Sequence, residues 1–95
     1  MKNLRNEIVL ELSECIKYVE RTGFIFLPHF EKTIAKVELF QEKAKSQTIS
    51  NLTILLKGSI FDYSYPETKV TDNWLNDLKK LLHFVENVVP QLPEN

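Results

Sequence analysis

The segment Thr71–Pro90, TDNWLNDLKKLLHFVENVVP, constrains the chain most. At about 100° per residue, Trp74, Leu75, Leu78, Leu81, Leu82, Val85, Val88 and Val89 fall within an arc of roughly 140°. That is one apolar stripe on a helix, and such a stripe must be covered by something else in the chain. Thr71 suits the N-cap, Asp72 suits the positive helix start, and Val70 can staple onto Leu75. Pro90 is expected to end the helix and residues 91–95 to form a frayed tail, leaving one domain over 1–90.

Two further stripes answer the first. From about Lys2 to Arg21, Leu4, Ile8, Leu12, Cys15, Ile16 and Val19 share an arc of roughly 120°, with Glu7, Glu14 and Tyr18 off it and Glu11 at its border. Gly23 is placed for a left-handed position after the helix end. Pro28 is suited to begin a second helix, reaching about Lys45, with Phe30, Ile34, Val37 and Ala44 on one face and Phe40 at its edge. Phe24–Leu27 is too short to be more than a buried connector or a first turn.

Residues 51–57, NLTILLK, are ambiguous. With Ser50 as N-cap and Gly58 as the residue after the end, they make a short helix. With SIFDYSY returning beside them, they make a hairpin. A lone hairpin is marginal and nothing else would extend it into a sheet, so the helix is preferred. The expected fold is all-α: a small antiparallel bundle of three long amphipathic helices and one short one. The alternative is α+β, with a hairpin at residues 52–65. Only two glycines and four prolines in 95 residues weigh against a many-turned β-protein.

Composition excludes several classes of function. Twelve basic against thirteen acidic residues give no strongly cationic surface. The densest basic group, Lys32, Lys36, Lys43 and Lys45, is interleaved with Glu31, Glu38 and Glu42, so nucleic acid is not the expected partner. No apolar run approaches the roughly 20 residues of a membrane span, and no signal peptide is visible. A lone cysteine suits a reducing cytoplasm.

Candidate chemistry is sparse. Cys15 projects from the middle of an apolar arc and reads as a small buried residue rather than a nucleophile. His29 and His83 belong to no ligand pattern and read as surface residues. Glu7, Glu11 and Glu14, like Glu38 and Glu42, read as solvated helix faces. No phosphate loop, CxxC pair or nucleophile elbow occurs, so neither catalysis nor a cofactor is expected.

The connection before the last helix stands out. Between Gly58 and Leu78, four acids (Asp62, Glu67, Asp72, Asp77) face one base (Lys69), a local net charge of −3. Phe61, Tyr63 and Tyr65 lie among them. Aromatics amid acids on an inter-helix connection suit a protein-binding surface with a basic partner. The competing reading has Phe61 and one tyrosine plugging the end of the bundle and Asp62 capping local backbone N–H groups.

Gly58-Ser59-Ile60-Phe61-Asp62, following an apolar helix and preceding an amphipathic one, resembles the G-S-x-x-D turn of small uncharacterised bacterial helical domains. The resemblance spans residues 48–85. Some small bacterial proteins of this size and style are immunity proteins, each neutralising a toxin. The resemblance implies a helical 51–57 segment; with the sparse chemistry and the chain length, the leading expectation is a cytoplasmic interaction protein, in its most concrete form an immunity protein that binds a toxin through the acidic, aromatic connection. The contacts expected are Phe61, Asp62, Tyr63, Tyr65, Glu67 and Asp72. The alternative is a structural or homo-oligomerising protein burying Phe24, Phe26 and Phe40 between copies. A small-ligand binder or enzyme is the third reading.

Overall fold

The computed structural model describes residues 2–63 and 68–87. Four helices run in order: α1 (Lys2–Thr22), α2 (Leu27–Ala44), α3 (Gln47–Gly58) and α4 (Asp72–Asn87), with a single 3₁₀ turn, Ile60–Tyr63, after α3. There is no strand among the described residues, so the all-α expectation holds and the hairpin alternative fails. Val88, Val89, Pro90 and the 91–95 tail lie outside the described residues.

The stripes meet as their spacing requires. Ile8, Leu12, Ile16 and Val19 of α1 are buried with Phe30, Ile34, Val37 and Phe40 of α2. Ile49 and Leu56 of α3, and Trp74, Leu78, Leu81 and Val85 of α4, complete the same core. Each of α1 and α3 packs against both α2 and α4, so the helices close a ring around this core. Phe40, expected at the edge of its stripe, has no exposed surface. At roughly 25 cal/mol per Å², burying side chains of this size supplies most of the folding free energy.

The helix ends follow local chemistry. Gly23 takes φ +79, and its N–H donates to the Val19 carbonyl at 2.7 Å, closing α1 as expected. Lys45 ends α2 in the left-handed region at φ 53, with its N–H on Gln41 O at 2.8 Å. Thr71 caps α4, its Oγ1 accepting from Trp74 N–H at 3.2 Å, and Val70 and Leu75 on either side both pack against the core.

Three expectations are corrected. The N-cap of α3 is Ser46, whose hydroxyl accepts from Ile49 N–H, and not Ser50. The helix gains a turn at its start because this turn buries Ile49 completely. Gly58 is not a left-handed terminator: it is the last residue of α3, and Ser59 continues in right-handed geometry into the 3₁₀ turn. The Phe24–Leu27 connector is not buried throughout, since Phe26 is 55% exposed.

Candidate functional site

The acidic, aromatic connection is built on Trp74. This residue is buried, and its indole N–H donates across the bundle to Leu56 O at 3.4 Å, which ties the start of α4 to the end of α3. Tyr63, ending the 3₁₀ turn, sets its ring edge-on to Trp74 with centroids 5.6 Å apart. Its hydroxyl lies 3.2 Å from Thr71 Oγ1. The turn is thereby pinned both to the core and to the cap of α4. Asp62 and Asp72, each the chain neighbour of one member of that Tyr63–Thr71 pair, are exposed. Two exposed acidic residues therefore sit next in the chain to the Tyr63–Thr71 contact.

Of the six contacts expected from the sequence, Asp62, Tyr63 and Asp72 are described, and the Tyr63–Thr71 contact brings their two stretches of chain together. Tyr65 and Glu67 lie outside the described residues, as does the side chain of Phe61. Tyr63 acts as the plug at the bundle end, as the competing reading held, and is half-buried in doing so. The Asp62 backbone N–H donates to Ser59 O at 3.0 Å.

A second region was not visible in the sequence as a unit. In the α1–α2 hairpin, residue numbers fall on one helix as they rise on the other. Cys15 therefore meets His29 and Thr33, Glu11 meets Thr33 and Lys36, and Glu7 meets Lys36. Cys15 is 6% exposed and its Sγ lies 3.4 Å from His29 Nδ1, while His29 Nε2 is 3.8 Å from Glu14 Oε2. His29 is thus not a plain surface residue. Its neutral tautomer with Nε2–H toward Glu14 leaves Nδ1 free to accept from the thiol.

The order thiol, imidazole, carboxylate resembles a nucleophile relay, but the electrostatics oppose it. Burial pushes the Cys15 thiol from 9.0 up to about 11; the Thr33 hydroxyl pulls it down, and Glu11 and Glu14 push it up again. A thiol so protonated at neutral pH is not an activated nucleophile. Beside it, Thr33 is fully buried and satisfied: its hydroxyl lies 2.9 Å from His29 O and 3.3 Å from Glu11 Oε1. Glu11, expected at the border of its arc, is held by the Lys36 ammonium. That hydrogen bond raises Lys36 above its usual value. Among the described residues, no three His, Cys, Asp or Glu side chains are arranged to hold a metal ion.

Fold and geometry together define a small all-α bundle with an acidic, tyrosine-bearing corner and a partly buried polar seam. Comparison with known proteins finds no match among family models, curated proteins or solved structures. No helix is long and apolar enough to cross a membrane among the described residues. Of the apolar residues considered for burial between copies, Phe40 belongs to the chain's own core and Phe24 is half-buried, which leaves Phe26 exposed.

Proposed function

We propose that the protein is a small protein-binding module that acts by direct contact and not by catalysis, using the acidic corner around Tyr63 to engage a basic partner. The observation that carries this reading is the pinning of Tyr63 by Trp74 and Thr71 with Asp62 and Asp72 exposed beside it. An interface tyrosine whose conformation is fixed before binding loses little entropy on association. Flanking carboxylates steer a cationic surface toward it. In its most concrete form the module is a cytoplasmic immunity protein, the partner is a bacterial toxin, and neutralisation is by occlusion of the toxin's basic surface. The raised pKa of Cys15 argues against that thiol as a catalytic nucleophile.

The experiment is co-purification with the product of the adjacent gene, comparing the natural chain with Asp62→Lys/Asp72→Lys. Both positions are exposed, so the fold should survive the exchange. Binding should weaken at least tenfold in the double variant and decline with added salt. Absence of any complex would overturn the toxin partner, and an unchanged affinity in the double variant would overturn the acidic corner.

A further inference from the structure

On the face of α1 turned toward the start of α2 lies a groove of about 660 Å³, within the ordinary range of small-ligand sites. Its floor is apolar and buried. Phe30 and Trp74 are buried with ring centroids 5.3 Å apart, and Val19 and Leu78 are buried beside them. Its edge carries a different chemistry. Lys17 and Arg21, one helical turn apart on α1, both line it, and neither pairs with a carboxylate among the described residues. The Arg21 guanidinium sits 5.4 Å above the Tyr18 ring, and Tyr18 packs edge-on to the exposed Phe26 at 6.0 Å.

The other charged groups on this rim are Glu14 and His29, and they lie against each other at 3.8 Å. Glu14, one turn before Lys17, is the rim's carboxylate, and the two cations of the Lys17–Arg21 end outnumber it over an aromatic wall. An apolar trough with a cationic end is complementary to a molecule with an apolar body and one anionic group. A neutral apolar ligand would leave both cations unused, and an amine would meet them as like charges. We propose that this groove binds a small amphiphilic carboxylate, with its hydrocarbon or ring against Tyr18, Ile25 and Phe26 over the buried Phe30 and Trp74, and its carboxylate between Lys17 and Arg21. This site is separate from the acidic corner, although Trp74 forms a wall of both.

Trp74 is the sole tryptophan, so its emission reports occupancy directly. The protein is titrated with 4-phenylbutyrate, with its amide 4-phenylbutyramide, and with 4-phenylbutylamine. The acid should produce a saturable change in Trp74 emission, with a Kd on the order of 1 mM for so small a probe. The amide should bind about fivefold more weakly, in line with the modest strength of partly solvated ion pairs, and the amine more weakly still. Lys17→Gln/Arg21→Gln, two exposed positions, should bring the acid down to the level of the amide without altering the helical circular dichroism spectrum. Asp62→Lys/Asp72→Lys should leave the titration unchanged. The proposal is overturned if the acid gives no saturable change, if acid and amide bind equally, if the amine binds tightest, or if Lys17→Gln/Arg21→Gln leaves the acid's affinity intact.

Discussion

Alkaline pH should destabilise this protein through Cys15 by an amount that can be worked out in advance. Burial raises the folded-state thiol from 9.0 to about 11. Below pH 9 the thiol carries its proton in both folded and unfolded chains, and this group contributes no pH dependence. Between the two values the unfolded chain releases the proton while the folded chain retains it, so stability falls as pH rises. The loss is about 1.4 kcal/mol per pH unit in that window, hence about 1.4 kcal/mol at pH 10.

The groups facing Cys15 are Glu11 and Glu14 from its own helix and His29 and Thr33 from α2, with Lys36 holding Glu11. Lys36 has its own raised value, so its stabilising contribution is present below 10.5 and disappears above that. This and all other titrations cancel when the natural chain is compared with Cys15→Ala. Urea unfolding of both proteins at about pH 8 and pH 10 gives the comparison. The natural chain should lose about 1.4 kcal/mol more than Cys15→Ala over that interval. Equal losses would refute the reasoning, because Cys15 would then release its proton at the same pH in the folded and unfolded chains.

The helix ends give two further expectations, both read as Tm by calorimetry or circular dichroism. Gly23→Ala should lower Tm by several degrees, because a side chain at φ +79 costs roughly 1–2 kcal/mol; the nearest atom to the added methyl, Lys69 Cδ at 3.4 Å, can move aside. Lys45→Gly should do the reverse and raise Tm, since it removes the same penalty of about 1 kcal/mol at φ 53 without deleting a core contact.

The bundle was legible in the sequence because helices with one apolar face leave few ways to satisfy one another. Periodicity located α1, α2 and α4 to within a residue or two at their described ends. The start of α3 was harder to read because Ser46 and Ser50 are both good caps, one turn apart, and only the tertiary burial of Ile49 chooses between them. Gly58 misled for a related reason. A left-handed glycine is needed where the chain reverses, but here Ser59 leads onward into a 3₁₀ turn of the same hand.

The acidic corner could be seen as composition, through four acids and one base, but not as geometry. The anchoring of Tyr63 depends on Trp74, eleven positions later in the chain. The polar seam was hidden more completely. Cys15 and His29 are unremarkable on their own helices and become neighbours only through the antiparallel register of α1 and α2. A signal was present: His29, Thr33 and Lys36 follow a helical spacing, as do Glu7, Glu11 and Cys15, and pairing the two rows in opposite directions matches them.

The Val70 N–H donates to the Gly23 carbonyl at 2.8 Å, joining the α1–α2 bend to the approach to α4. This bond divides the chain's connections into two kinds for anyone wishing to splice into it. Extra residues beside Gly23 or Val70 would shift one partner out of register with the other and pull on two helix junctions at once. The α2–α3 corner at Lys45–Ser46 is closed by short-range bonds, Lys45 N–H to Gln41 O and Ile49 N–H to Ser46 Oγ, each contained within a single turn. A tag or sensor peptide belongs between those two residues, where lengthening the chain leaves both closures whole and gives up only the side-chain bond from Gln41 Nε2 to Ser46 O at 3.3 Å.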